Sequence, residues 1–141
     1  MPVLVYHGGG QFYITASKHL KTFGVESEVF ERHSQYLKDH SYTIIFFDQM
    51  YNTLLKNAKL SEKPIIITFD DGWKNKYMYA LPLLKKYEFT ATFYIPIKNI
   101  GEHHIMDWKE IKELSKFGMS IGSHTKSHPF LTDSTTEELE D

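Results

Sequence analysis

Two adjacent carboxylates, Asp70 and Asp71, stand before Gly72 at the end of the apolar run 65–69. Adjacent carboxylates at a strand end point in different directions, so they can take different tasks. If one of them binds a metal ion, the ion favours the ionised form of the other, which can then accept a proton from a water. Asp-Asp-Gly is also a favourable turn sequence, because Gly72 readily adopts a positive φ. The pair alone therefore indicates either a catalytic site or an ordinary turn.

Two histidines, His124 and His128, lie on either side of a three-residue spacer and are followed by Pro129. The residues around them, Gly122-Ser123 and Pro129, favour a loop after a strand. Neutral imidazoles suit zinc and other late first-row metals, and a carboxylate would complete a three-ligand set with positions left for water and substrate. The alternative is a pair of surface histidines in a polar loop. Both motifs in one chain make a metal site more plausible than either motif does alone.

The other six of the eight histidines receive different interpretations. His7 follows an apolar run, where it could belong to the site or simply cap the core. Loop or helix positions favour surface or packing roles for His19, His33 and His40. The pair His103-His104 lies in a predicted loop, and we expect no second metal site there.

Short apolar runs alternate with amphipathic segments along the chain, and no internal repeat is evident. Periodicity predicts strands over 3–7, 42–47, 65–69, 90–95 and 119–123, and helices over 27–40, 48–58, 75–87 and 107–117. This alternation predicts a parallel α/β sheet with crossover helices, and strands that are apolar on both faces agree with it. The candidate site residues follow strand ends, which is the edge where α/β proteins bind ligands.

Capping residues set the predicted helix boundaries. Ser27 and Asp48 are expected N-caps, and Asp107 with Glu110 forms an expected capping box. Gly118 fits the position that ends the helix after Asp107. In the helix over 75–87, the spacing places Met78, Leu81 and Leu84 on the inward face.

The composition is that of an ordinary globular domain: 141 residues, 41% hydrophobic and 24% charged. With a net charge of −2, the chain has no excess of positive charge that would indicate binding to nucleic acid or to an anionic membrane. The chain has no Cys, which excludes disulfides and thiolate metal ligands. No apolar run approaches the roughly 20 residues of a membrane span, and the first residues do not resemble a signal peptide. The compartment and the oligomeric state stay open.

The motifs resemble a known family. Residues 68–72, Thr-Phe-Asp-Asp-Gly, and 124–129, His-Thr-Lys-Ser-His-Pro, look like the first two motifs of the polysaccharide deacetylases, carbohydrate esterase family four. Residues 80–87 and 91–94 have the spacing typical between those motifs. The opening residues 3–7 are most similar to the poly-N-acetylglucosamine deacetylase branch, and the resemblance covers essentially the whole chain.

The resemblance implies a deformed (β/α) barrel that removes N-acetyl groups from an N-acetylated polysaccharide: poly-N-acetylglucosamine, a chitin-like polymer or the glycan of peptidoglycan. It implies that Asp71, His124 and His128 bind zinc or a similar divalent metal, and that Asp70 is the general base. It also implies a location outside the cell or in the cell envelope.

The chain departs from the family pattern in one respect. The family carries a later Arg-x-Pro-Tyr-type segment and a later His as general acid, and neither occurs in residues 1–141. About five predicted strands are too few for an eight-stranded barrel. We therefore expect residues 1–141 to be the N-terminal part of a deacetylase-like catalytic domain, able to bind metal but with little turnover. Two alternatives remain: a non-catalytic carbohydrate-binding or pseudoenzyme fragment, and an amidohydrolase acting on a small non-sugar amide.

Overall fold

The computed structural model describes residues 1–9 and 24–140, so His19 and most of the predicted loop after His7 lie outside the described residues. The strands in the described part are β1 (Val3–Tyr6), β2 (Gly8–Gly9), β3 (Gly24–Val25), β4 (Thr43–Ile44), β5 (Pro64–Phe69), β6 (Thr92–Ile95) and β7 (Ser120–Ser123). The α-helices are α1 (Ser27–Asp39), α2 (Phe47–Lys56), α3 (Leu81–Tyr87), α4 (Trp108–Lys116) and α5 (Thr136–Glu140). A π-helical turn, Lys76–Ala80, leads into α3, and a 3₁₀ turn, Leu131–Asp133, precedes α5.

The main sheet has five parallel strands. Its order is β1-β5-β6-β7, and β4 pairs with the first two residues of β5. The short strands β2 and β3 form a separate parallel pair. This topology confirms the predicted α/β class with about five strands, and it brings the carboxyl ends of β1, β5 and β7 to one edge.

Strand β5 is the centre of the sheet because its sequence is β-branched and apolar, and its last five residues are buried. A row of aromatic rings crosses the strands beside it. The Phe69 ring stacks on Tyr6 at 5.3 Å and on Phe93 at 4.9 Å, while Phe30 of α1 meets the Tyr6 ring edge-on at 5.0 Å. These contacts hold the three neighbouring strands in register, and β5 ends directly at the candidate carboxylates.

Two predicted N-caps are wrong. The cap of α1 is Glu26, so Ser27 is the first helical residue. Helix α2 begins at Phe47, and the Gln49 side chain accepts a hydrogen bond from the Phe46 amide at 2.9 Å, so Asp48 lies inside the first turn. The predicted strand 42–47 is correspondingly shorter than expected, because its last residues are taken up by the start of α2.

The prediction that Met78 faces inward is also wrong, because this residue is 53% exposed. The π-helical turn has i→i+5 hydrogen bonds and therefore more residues per turn than an α-helix, so the 3.6-residue period does not hold through it. Leu81 and Leu84, which follow the turn, are buried as predicted.

The capping box of α4 is confirmed: Asp107 accepts from the Glu110 amide at 2.8 Å and Glu110 accepts from the Asp107 amide at 2.9 Å. Gly118 has the expected positive φ of 82° after this helix. Together they fix where the chain enters β7 and hence where His124 lies.

Candidate metal centre

The two carboxylates are positioned by a sharp turn at the end of β5. The Asp70 amide donates to the Tyr6 carbonyl at 3.0 Å, which extends the β1–β5 pairing by one residue. Asp71 then takes a φ of 72° and Gly72 a φ of 66°, both left-handed. A non-glycine residue in that region costs on the order of 1–3 kcal/mol, and such residues occur at helix ends and turns and cluster at active sites. A Cβ at Gly72 would lie 2.9 Å from the Ile95 Cγ2 atom, so only glycine fits there.

The two histidines are positioned by a loop that curls back on itself after β7. The His124 amide donates to the Ile95 carbonyl at 3.3 Å, which continues the β6–β7 pairing. Thr125 and His128 both have positive φ, 65° and 57°. The Thr125 hydroxyl accepts from the His128 amide at 2.9 Å. As a result the two imidazole rings lie 4.7 Å apart.

Three side chains each offer one atom that could bind a metal ion, and the three atoms lie within 4.8 Å of one another. The residues are Asp71, His124 and His128. The Asp71 Oδ1 atom is 3.4 Å from His124 Nε2 and 3.3 Å from His128 Nε2. Ligands bonded to a tetrahedral zinc at 2.0–2.1 Å are separated from each other by about 3.4 Å. The spacing of these atoms therefore matches a shared metal ion.

The hydrogen-bond pattern supports the same interpretation. Asp71 Oδ1 and His124 Nε2 are buried, and neither has a hydrogen-bond partner among the described residues. A buried polar atom without a partner is costly, and one cation between these two atoms would satisfy both. The His128 side chain is 58% exposed, which leaves the outer side of the group accessible.

The second oxygen of Asp71 has its own partner. Trp73 Nε1 donates to Asp71 Oδ2 at 3.3 Å, an outer contact of the kind that orients metal ligands. The turn is held from the other side, because the Met106 amide donates to the Gly72 carbonyl and the Lys74 amide to the His104 carbonyl. His104 thus acts through its backbone, and its ring packs on His103 at 4.3 Å.

Asp70 faces a different neighbour. Its Oδ2 atom lies 3.7 Å from His7 Nε2, with side chains 15% and 45% exposed respectively. The position of His7 after β1 was the sequence signal for this contact. His33 and His40 have packing roles: His33 Nδ1 lies 3.1 Å from the Tyr6 hydroxyl, and the His40 ring stacks on Tyr36 at 3.9 Å.

Two further residues lie near the site, and the sequence alone did not assign either of them to it. The Tyr94 ring lies 6.4 Å from the His124 ring and covers Gly122, where a Cβ would come within 2.5 Å of ring carbons. Burial, and then the charge of Asp70, raise the pKa of Tyr94. Lys76 is fully buried in the turn that follows Asp71. Tyrosine in a strand and lysine in a helix fit ordinary patterns, so neither residue is distinctive in the sequence.

Comparison with known proteins gives the family. The family model for polysaccharide deacetylases matches residues 57–141. The chain belongs to the polysaccharide deacetylase family. A relative assigned to this family, YxkH of Bacillus subtilis (strain 168), is 35% identical over 138 residues, 98% of this chain and 47% of its own length. The poly-beta-1,6-N-acetyl-D-glucosamine N-deacetylase of Staphylococcus aureus (strain MSSA476) is 31% identical over 120 residues, 81% of this chain and 41% of its own length.

Solved structures agree with this assignment. The deacetylase PplD of Streptococcus pyogenes, solved in complex with acetate, superposes with a TM-score of 0.84 at 28% identity, over 97% of this chain and 61% of that one. A polysaccharide deacetylase from Bacillus cereus superposes with a TM-score of 0.81 at 32% identity, over 99% of this chain and 46% of that one. The chain therefore spans less than half the length of the curated relatives described above, and it has the fold of the family.

In the part of the chain that the structure describes, no helix is both long and apolar enough to span a bilayer.

Proposed function

We propose that residues 1–141 supply the metal centre and the general base of a polysaccharide N-deacetylase. The proposal rests on one observation: Asp71 Oδ1, His124 Nε2 and His128 Nε2 lie close together. A second carboxylate, Asp70, is the neighbour of Asp71 in the chain. The substrate we propose is an N-acetylated polysaccharide of the poly-N-acetylglucosamine type, since a relative from S. aureus is named for that polymer. Such a substrate favours a site of action in the cell envelope.

Asp71, His124 and His128 would hold the ion, and their nitrogen and oxygen donors suit zinc. When bound, a divalent ion supplies Lewis-acid polarisation of the acetyl carbonyl and lowers the pKa of water. The partly exposed His128 leaves room for the N-acetyl group to approach from the solvent side. The Trp73 contact keeps the Asp71 carboxylate in the orientation that this donor set needs.

Asp70 is the proposed base. Its amide is fixed by the Tyr6 carbonyl, so its carboxylate is held at the strand end beside the ligand residue Asp71. In this position Asp70 takes a proton from the water whose oxygen forms a bond to the acetyl carbon.

The later His that the family is expected to use as general acid does not occur in residues 1–141, so within this chain His7 is the group that we propose as proton donor to the leaving nitrogen. Cleavage of the C–N bond requires a proton on the amine, and an imidazole is the commonest group for this task. His7 lies beside Asp70 and is partly exposed, which suits a group that must contact a substrate. The products are acetate and a free sugar amine. Acetate is also the molecule present in the S. pyogenes deacetylase structure.

Acetate release from β-1,6-linked N-acetylglucosamine oligomers tests this proposal. We expect the zinc-loaded chain to release acetate slowly, and Asp70→Asn to lower the rate by about 100-fold or more. Asp133→Asn, an exposed carboxylate in the 3₁₀ turn, is the matched control and should keep the rate.

Equal rates in the wild type and Asp70→Asn would contradict the proposal. Hydrolysis of small cyclic amides without hydrolysis of the oligomers would favour the small-molecule amidohydrolase instead. Oligomer binding with no acetate release would favour the non-catalytic carbohydrate-binding alternative.

A further inference from the structure

Trp108 is a large apolar residue that the fold leaves on the surface. The chain has two tryptophans, and the indole of the other one, Trp73, donates to Asp71. Trp108 is the first residue of α4, and it is 58% exposed. Tryptophan is on average a largely buried residue, because its indole carries an extensive apolar surface. An indole left open to water is therefore a candidate contact for a ligand that has an apolar face.

The start of α4 does not require an indole at this position. The capping box of Asp107 and Glu110 satisfies amides at the start of the helix. The apolar positions that anchor such a start to the core are the residue before the cap and the fourth helical residue. They are taken by Met106 and Ile111, and both are buried. Tryptophan is only a moderate helix former, so neither capping nor helix propensity accounts for Trp108.

Two contacts hold the start of α4 to the turn that carries the metal centre. The Met106 amide donates to the Gly72 carbonyl at 3.0 Å. The Lys74 ammonium pairs with Glu110 Oε1 at 3.0 Å. Trp108 follows Met106 by two residues, a length of chain that spans at most about 7 Å. The indole is therefore attached within the reach of a short oligosaccharide from the metal centre.

The direction of α4 places Trp108 at the edge of the sheet where the metal centre lies. The helix connects the parallel strands β6 and β7, so it begins at their carboxyl edge and ends at their amino edge. Phe117, which ends α4, is 42% exposed, and the Lys85 ammonium lies over its ring at 3.5 Å. Trp108 and Phe117 are thus exposed rings at opposite ends of one helix, and only Trp108 is at the edge of the metal centre.

We propose that the Trp108 indole is a stacking surface for a sugar ring of the polysaccharide, next to the sugar whose N-acetyl group reaches the metal centre. The inference rests on the proposed function, from which it takes the substrate. One face of a pyranose ring presents C–H groups, whose partial positive charge is attracted to the negative face of an indole. The hydroxyl groups at the rim of the sugar stay in water. Because the start of α4 is tied to the turn, little conformational freedom is lost when the sugar binds.

Calorimetric titration of the zinc-loaded chain with an oligomer of β-1,6-linked N-acetylglucosamine tests this proposal. We expect Trp108→Leu, which removes the aromatic face, to bind the oligomer about tenfold more weakly than the wild type. Trp108→Tyr keeps an aromatic face and should stay within about threefold of the wild type. Phe117→Leu is the matched control at the other end of α4 and should bind as the wild type does.

Two further measurements separate stacking from a merely structural effect. In acetate release, Trp108→Leu should raise KM about tenfold with kcat and zinc content unchanged, as for a group that binds substrate and transition state equally. The oligomer should shift the tryptophan emission of the wild type to shorter wavelength, because the sugar displaces water from the indole. In Trp108→Leu only Trp73 emits, and the shift should be lost.

Equal oligomer affinity in the wild type and Trp108→Leu, with zinc and acetate release retained, would overturn this inference and leave the proposed function intact. Absence of oligomer binding and of acetate release in all of these zinc-loaded proteins would overturn both. An emission shift with phospholipid vesicles or with protein concentration, and none with the oligomer, would assign Trp108 to a membrane surface or to self-association and overturn the proposal. If Trp108→Leu does not fold, the indole proton resonances of Trp108 in the wild type decide. We expect the oligomer to move them, and unmoved resonances would contradict the proposal.

Discussion

The backbone at Asp71 separates the tasks of the two carboxylates. Asp70 continues the β5 strand and lies beside His7, whereas Asp71 turns into the left-handed region and points its Oδ1 atom at the two histidines. The side chains of adjacent residues in an extended strand also point to opposite faces. It is the left-handed conformation of Asp71 that brings its side chain to the His124 loop. The structure brings the three predicted metal ligands together, whereas the role of Asp70 as general base, which the family resemblance implies, stays a prediction.

The contact between His7 and Asp70 could not be predicted from the sequence. Its position after β1 was visible, but the pairing of β1 with β5 is what places it at Asp70. That pairing joins segments about 60 residues apart in the chain, and local periodicity carries no information on it.

Replacing His7 tests its proposed role as proton donor. We expect His7→Gln to lower kcat by about 100-fold, because general acid catalysis typically contributes 10²–10⁴, with unchanged zinc content. The measurement is acetate release together with metal analysis of the same sample. His40→Gln, which removes an exposed imidazole that packs on Tyr36, should have neither effect. Loss of zinc from His7→Gln would instead place His7 among the metal ligands.

Strand β7 and its neighbour β6 position the histidine loop. The Tyr94 ring lies directly over Gly122, two residues before His124, and this close approach is possible only without a side chain at 122. The sequence predicted the strand but not the reason for glycine in it, since that reason lies on the adjacent strand.

Adding one methyl group tests this contact. In Gly122→Ala the Cβ would lie 2.5 Å from the Tyr94 ring carbons, so the ring or the strand must move. We expect a loss of about 1–3 kcal/mol in the free energy of unfolding, as for other overpacked sites, and weaker zinc binding because His124 shifts with the strand. Urea unfolding measures the first effect. Ser123→Ala, an exposed neighbour on the same strand, should change stability by no more than about 0.5 kcal/mol. Equal stability of Gly122→Ala and the wild type would contradict the packing argument.

At the scale of the whole molecule, the parallel sheet and its helices followed from the alternation of apolar runs and amphipathic segments. The errors arose where a tertiary or local contact overrode the pattern. The π-helical turn moved Met78 to the surface, and the Gln49 side chain shifted the start of α2. The burial of Lys76 in that turn could not be recognised from the sequence, because it depends on packing that only the fold supplies.

Burial of Lys76 also predicts how the stability of the metal-free protein depends on pH. Its pKa falls from 10.5 in the unfolded chain to about 7 in the folded protein, so the unfolded chain binds more protons between these values. The penalty of burying the ammonium is therefore fully present below pH 7 and is relieved as the pH rises. Relative to Lys76→Met, the free energy of unfolding of the wild type should increase by about 1.4 kcal/mol per pH unit above pH 7. Urea unfolding at pH 6, 7, 8 and 9 measures the difference, and parallel profiles for the two proteins would contradict it.

The metal content of the purified chain tests the central claim most directly. After incubation with excess zinc and removal of free ion, elemental analysis should find one zinc per wild-type chain and little or none in His124→Ala, because that variant removes one of three converging ligand atoms. His103→Ala, which removes an exposed imidazole outside the group, should keep its zinc. A wild-type chain that retains no zinc, or a His124→Ala variant that retains as much as the wild type, would contradict the assignment of Asp71, His124 and His128 as a metal centre.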